Sequence, residues 1–190
     1  MIKNKDDLNV YLKQDKIALG IDKETPSFFG DEIWKFEIEL RYGEYLINCK
    51  PLMWKVRLLY SRFKKHYLSI LCCGYEVPYN VVREGLALIH RGPIIINSSC
   101  RIGSNCRIHS GVTIGATSGE KKAPIKGDNV YIGSGAKVIG NINIGSNCAI
   151  GAGAVVVKSV PDSVTVGGVP ARIISNNTSS RHIPGSFQRI

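Results

Sequence analysis

The sequence predicts a mainly-β protein: a parallel β-helix of hexapeptide repeats behind an N-terminal α-helical region. Three observations carry this. From Ile94 to about Gly168 a branched apolar residue returns every six positions, usually followed by Gly. The series runs Ile96-Asn97, Ile102-Gly103, Ile108-His109, Ile114-Gly115, then Ile132-Gly133, Val138-Ile139, Ile144-Gly145, Ile150-Gly151 and Val156. Two places before each stands a second apolar or small residue: Ile94, Cys100, Cys106, Val112, then Val130, Ala136, Ile142, Cys148 and Ala154. Residues 1–74 lack this period and space their apolar residues by three and four, as helices do. A period of six is the sequence sign of a parallel β-helix, whose coils bury their apolar side only by stacking on one another.

The elements follow in order. Gly30-Asp31 opens a helix carrying Ile33, Phe36, Ile38, Leu40 and Tyr45-Leu46. Pro51 opens a second, whose apolar face is Leu52, Val56, Leu59, Phe63 and Ile70. Its other face carries Lys50, Lys55, Arg57, Arg62, Lys64, Lys65 and His66. That face reads first as solvated, and more sharply as an anchor on anionic lipid headgroups. Gly74 to Pro78 form a hinge into the repeat domain, residues 75–174, and residues 175–190 are a polar C-terminal tail.

Coils of 18 residues place Ile96, Ile114, Ile132 and Ile150 in one stack, at the roughly 4.8 Å spacing of strands in a sheet. The helices are expected over one open end of the prism and Pro161 to Ile174 over the other, because bare strand edges invite aggregation. Between Ile114 and Ile132, Glu120 and Lys126 fall where apolar residues belong. Residues 116–124, with Gly119, three charged residues and a closing Pro124, are therefore expected to loop out as a site wall.

Composition narrows the function. The chain has 190 residues, 44% of them hydrophobic, with 20 Gly, which suits a globular protein rich in tight corners. No apolar run approaches the roughly 18 to 20 residues that span a bilayer. Met1 to Asp7 is charged with both signs and leads into no secretory stretch, so a soluble, cytoplasmic protein is expected. Of the six cysteines, Cys100, Cys106 and Cys148 take the small inward slot of the repeat. No CxxC or Cys/His spacing is present, so buried thiols are expected and no metal. The net charge of +10 implies anionic company. The basic residues form no stripe interleaved with aromatics, so nucleic acid is not expected. An anionic cofactor and an acidic membrane surface both fit.

Several motifs together resemble the hexapeptide acyltransferases with a left-handed β-helix, most closely their serine-acetyltransferase-like branch. They are Glu76-Val77-Pro78, Gly85-Leu86-Ala87-Leu88-Ile89-His90, Gly111-Val112-Thr113-Ile114-Gly115, Gly127-Asp128-Asn129-Val130-Tyr131-Ile132-Gly133 and Gly167-Gly168-Val169-Pro170-Ala171-Arg172. The resemblance covers residues 76–174. It implies a homotrimer with acetyl-CoA in the groove between adjacent prisms.

Moving an acetyl group from a thioester to a hydroxyl needs a base, and histidine suits that work near neutral pH. His90 falls on the apolar register, six before Ile96, where an imidazole is not a natural core filler, and it matches the family's catalytic histidine. Glu76, 14 residues upstream, matches the family's acidic partner if one residue is deleted between them. Ser134 and Ala152, 18 apart, match small positions along the pantetheine arm, and Thr117 starts the loop. Lys158 and Arg172 match positions that meet the CoA phosphates in relatives. His109 points outward one coil from His90. A zinc enzyme of the γ-carbonic-anhydrase type needs three histidine ligands, and His66 and His182 lie outside the coils.

The acceptor divides the branch. In serine acetyltransferases an aspartate precedes the catalytic histidine, and an Arg-His pair in the extruded loop helps to hold the amino acid. Here Ile89 precedes His90 and the loop has Lys122-Ala123. These departures resemble O-acetyltransferases of capsular, exo- or lipopolysaccharide assembly, so a sugar hydroxyl is the expected acceptor and serine the alternative. The terminal Gln188-Arg189-Ile190 resembles the serine acetyltransferase tail that docks into cysteine synthase. A second alternative follows from it: a non-catalytic β-helix partner of cysteine synthase.

Overall fold

A computed structural model describes residues 1–72, 74–117 and 123–183. Three helices precede a three-faced parallel β-helix: α1 (Lys5–Leu19), α2 (Glu32–Cys49) and α3 (Trp54–Leu71). The strands, numbered along the chain, fall into three sheets. Face one stacks β1 (Tyr75–Glu76), β3 (Ile94–Ile96), β6 (Thr113–Gly115), β9 (Lys137–Ile139) and β12 (Val155–Val156). Face two stacks β4 (Arg101–Ile102), β7 (Ile125–Lys126) and β10 (Asn143–Ile144). Face three stacks β2 (Ala87–Ile89), β5 (Arg107–His109), β8 (Tyr131–Ile132), β11 (Ala149–Ile150) and β13 (Thr165–Gly167). Antiparallel β14 (Arg172–Ser175) then closes face three.

The register departs from even coils of 18. Ile114 stacks on Val138, and Ile108 on Ile132, each 24 residues further on. The expected column of Ile96, Ile114, Ile132 and Ile150 is therefore two columns. Ile96, Ile114, Val138 and Val156 line face one, while Leu88, Ile108, Ile132, Ile150 and Val166 line face three. Six extra residues enter at the loop, and each strand beyond it has slipped one face round the prism. Periodicity in the sequence survives such an insertion because six is one face as well as a third of a coil.

All of these column residues are buried, as are Cys100, Cys106 and Cys148. The edge between faces two and three is built by Asn105, Asn129 and Asn147, all left-handed, with φ of 54°, 56° and 59°. Asparagine tolerates that backbone, and each side-chain amide donates to the next along the edge, at 3.1 and 2.9 Å.

The helices close the N-terminal end through charge. Strand β2 is the first on face three, so Gly85, Leu86 and Leu88 have N–H groups aimed away from the next coil. Asp15 Oδ1 of α1 accepts from Gly85 and Leu86, at 2.8 and 2.9 Å, and Glu37 Oε1 of α2 accepts from Leu88 at 2.8 Å. Arg41, fully buried, donates to Asp15 at 2.6 Å, to Glu44 at 3.0 Å, and to the carbonyls of Val82 and Arg83, both at 2.8 Å. The two carboxylates hold Arg41 permanently charged against its desolvation. Burial, reinforced by Asp15, pushes the Glu37 carboxyl well above the usual carboxylate range.

Helix α3 is turned differently from the expectation. It buries Leu58, Ser61 and Leu68, while Leu52, Val56, Leu59, Phe63 and Ile70 face outward. Lys65, expected on the solvated face, turns inward: its ammonium donates to the Val77 carbonyl at 2.6 Å and lies 4.1 Å from the centre of the Tyr79 ring. Burial lowers its pKa to about 8.

Two outcomes are expected at this cap. Removing Arg41 as Arg41→Ala strands two buried carboxylates and should cost about 3–5 kcal/mol of stability in thermal or urea unfolding. Glu37→Gln keeps an acceptor for Leu88 and removes the charge. Because the folded Glu37 pKa is raised above its unfolded value near 4.5, wild-type stability is lost as pH rises beyond that value. The variant's thermal midpoint should therefore gain on wild type between pH 4 and pH 8; no change in that difference would show that Glu37 stays ionised.

Candidate active site

His90 stands at the end of β2, on the edge where face three turns into face one. Its backbone is left-handed, φ 64°, which a side chain with Cβ adopts only when held there. Tyr75 does some of the holding: its hydroxyl donates to the His90 carbonyl at 2.7 Å, and its ring packs edge-on against Phe36 of α2. The imidazole itself is exposed.

Below His90 the same edge continues through Ser110, Ser134 and Ala152. Gly135 N–H donates to the Ser110 carbonyl at 2.9 Å, and Gly153 N–H to the Ser134 carbonyl at 2.8 Å. Ser134 and Ala152 thus stack on consecutive coils, as their spacing of 18 predicts, and both are exposed. The corner can hold nothing large between coils. A Cβ on Gly133 would lie 2.6 Å from the Ala152 nitrogen, and one on Gly111 3.1 Å from the Gly135 nitrogen.

Thr117, Lys158 and Arg172 lie elsewhere. Thr117 and Lys158 follow β6 and β12 on the edge where face one turns into face two, and the Thr117 hydroxyl stands 3.4 Å from where a Cβ on Gly140 of that edge would be. Arg172 joins Lys158 at the C-terminal end, where both line a cavity of about 280 Å³ with Val160, Pro161 and Ala171. Lys122, on the loop, and Ile190, in the tail, lie outside the described residues, as does most of residues 116–124 beyond Thr117. Ser134 and Ala152 thus share the His90 edge and Thr117 and Lys158 another, with the width of face one between them, while Arg172 stands at the C-terminal end in β14.

Glu76 is not bonded to His90. It ends β1 on face one, beside Ile95, exposed and lining a cleft with Arg62, Lys65, His66 and Ser69. Among the described residues its carboxylate makes no hydrogen bond or ion pair. What His90 does meet is a row of rings on face three. The His109 ring lies 5.6 Å from that of His90, edge to face, and 5.1 Å from Tyr131. His182 then stacks on Tyr131 at 4.5 Å and 27°.

His182 arrives there because the segment after β14 folds back along face three. Thr165 Oγ1 donates to the Asn177 carbonyl at 2.8 Å, Ser179 N–H to Asn147 at 3.0 Å, and Ser179 Oγ to Asn129 at 2.5 Å, and Ile183 is buried. Sequence reading missed both Tyr131 and His182. The first looks like any outward residue of a hexad, and the second sits in a polar tail with no period. Tyr131 separates His182 from His109, and the described residues contain no group of three His, Cys, Asp or Glu suited to a metal ion.

Residues 127–158 match the bacterial transferase hexapeptide (six repeats) family. A serine acetyltransferase of Staphylococcus xylosus is 34% identical over 177 residues, which is 91% of this chain and 77% of that one. The chain belongs to the hexapeptide-repeat acyltransferases, on their serine-acetyltransferase-like branch. A serine acetyltransferase of Synechococcus elongatus is 41% identical over 111 residues, so the chain matches 46%, about half, of that relative's length. A crystal structure of Brucella abortus serine acetyltransferase in complex with coenzyme A superposes with a TM-score of 0.66 at 27% identity, over 91% of this chain and 68% of that one. The prism is accordingly the left-handed β-helix of this family.

Burial lowers the His109 pKa below the usual 6.5, and the positive charges of Arg107, His90 and His182 lower it further. In a ring-proton NMR titration His109 should therefore change charge below pH 6.5, and His182→Gln should move its midpoint up. The sign for stability follows: as pH falls below 6.5 the unfolded chain takes the proton first, so the native state loses ground to it. A His109 midpoint at or above 6.5 in wild type would contradict the packed row.

Proposed function

We propose that the chain is an acetyl-CoA-dependent O-acetyltransferase with His90 as its general base. The observation that carries this is an exposed imidazole, held in a left-handed turn by Tyr75, at the head of an edge stripped to small residues. His90 takes the proton of the acceptor hydroxyl as its oxygen attacks the thioester carbonyl. Once the C–S bond breaks, the imidazolium returns the proton to the departing thiolate. Ser134 and Ala152 leave room for a thin pantetheine arm close to backbone groups, and Lys158 with Arg172 supply cations for the phosphates. Acting as a base in this way is typically worth 10²–10⁴ in rate.

The division of these residues between two edges supports a homotrimer, in which the His90 edge of one prism faces the Lys158 edge of the next. Glu76 enters the proposal as the carboxylate that would steady the imidazolium, and it would have to swing round the edge from face one to do so.

For the acceptor, the named relatives favour L-serine, which reverses the preference drawn from sequence. They are serine acetyltransferases, and one aligns with nearly the whole chain. One observation favours a sugar hydroxyl as the second reading. Beside His90 stand Ile89 and a row of rings, His109, Tyr131 and His182, and among the described residues no carboxylate is bonded there to meet an ammonium group. Apolar ring faces suit a pyranose.

The test is CoA thiol release from acetyl-CoA, with L-serine and separately with pooled sugar acceptors. Serine-dependent release that falls at least about 100-fold in His90→Ala is expected; release with sugars alone would move the acceptor to the second reading. Glu76→Gln within about twofold of wild type would leave His90 working without it. Co-expressing His90→Ala with the Lys158→Ala/Arg172→Ala chain should restore activity that neither variant has alone, because a mixed trimer contains some intact grooves. Inactive mixed trimers would place each site within one prism.

A further inference from the structure

The outward face of α3 is the largest feature that the proposed chemistry leaves unused. Val56, Leu59, Phe63, Tyr67 and Ile70 recur at three- and four-residue steps on that face, with Tyr60 beside them and Leu52 in the turn just before the helix. All are exposed, Leu59 by 71% and Phe63 by 69%. A helix normally turns such a stripe toward its own core. Here the core side holds Leu58, Ser61, Lys65 and Leu68 instead, so the stripe lies in water unless something covers it.

The charges beside the stripe indicate what that is. By helical spacing Lys55, Arg62 and His66 border it on one side, and Arg57 on the other, where Lys64 is ion-paired with Glu39 of α2. Between Trp54 and Leu71 there are five Lys or Arg residues and no Asp or Glu. A second α3 laid stripe to stripe would bring cations against cations along both borders. An anionic lipid surface satisfies both features together: the apolar side chains enter the acyl boundary, and the cations meet phosphate at the level of the headgroups. Tyr60 and Tyr67 have the apolar body and polar tip suited to that boundary. No helix of the described residues is long and apolar enough to cross a membrane, so any contact α3 makes with one would be along its surface.

We propose that α3 docks the protein onto anionic lipid membranes, lying in the plane of the surface with Leu59 and Phe63 at the centre of the contact. The inference stands apart from the acetyl-transfer reading, because none of its residues is a candidate catalytic or CoA-binding residue, although Arg62 and His66 also line the cleft that holds Glu76.

The full chain should be co-sedimented with phosphatidylcholine vesicles and with vesicles containing phosphatidylglycerol, at low and high salt. Binding about tenfold stronger to the anionic vesicles, and weakened by salt, is expected. Leu59→Gln/Phe63→Gln should remove most of it, and Lys55→Gln/Arg62→Gln should remove the lipid preference. Circular dichroism and thermal midpoints close to wild type would show that these variants fold. Binding equal on both vesicles, or absent from both, overturns the proposal. So does unchanged vesicle binding by folded Leu59→Gln/Phe63→Gln. A wild-type assembly that dissociates in that variant by sedimentation velocity, without vesicle binding, gives the stripe to a second copy and overturns it as well.

Discussion

The buried contact between Arg41 and Asp15 is the constraint on which the rest of the molecule depends. A parallel β-helix has no natural beginning, because its first coil offers strand groups to nothing. Here Asp15 takes two of those N–H groups and Glu37 a third, while Arg41 pairs with both Asp15 and Glu44 and satisfies two carbonyls of the same coil. Several charges are removed from water, and that is tolerable only because almost every polar atom is answered; Glu37 Oε2 is left without a partner, in keeping with its raised pKa. The same contacts fix the first coil, and through β2 they fix the turn that presents His90.

A second constraint is the length of the third coil. Six residues added at the loop move each later strand one face round, so Ile132 sits over Ile108 and not over Ile114. Because the insertion equals one face, every inward residue stays inward and the core pays nothing for it. The insertion enters at the edge between faces one and two, the same edge that carries Thr117 and Lys158. Faces repeat while edges differ, and most of the candidate residues stand on the edges.

His90 joins the two parts of the fold. Tyr75, anchored on Phe36 of α2, holds its carbonyl, while His109, Tyr131 and the returning His182 define the surface beside its ring. The C-terminal segment thus lies along the candidate site, bonded along face three by Thr165, Ser179 and the asparagine edge. This segment supplies His182 to the row of rings that bears on the choice of acceptor.

The sequence by itself determined the β-helix, its inward cysteines, its small stacked corner at Ser134 and Ala152, and His90 as the residue out of place in an apolar register. All of these are local or strictly periodic, so spacing alone exposes them. Tertiary structure decided what spacing does not carry. The hexad counts faces without saying which, so the columns were misassigned beyond the loop, and with them the split of the site between two edges. Amphipathic spacing says that α3 has an apolar side but not which way it turns; Leu58 and Leu68 packed inward, and the larger stripe was left outside. Glu76 and His182 show the same limit from opposite directions. A carboxylate one coil upstream in sequence lies on another face, and a histidine 92 residues from His90 lies along the same row of rings, because solenoid neighbours are set by coil and face rather than by distance along the chain.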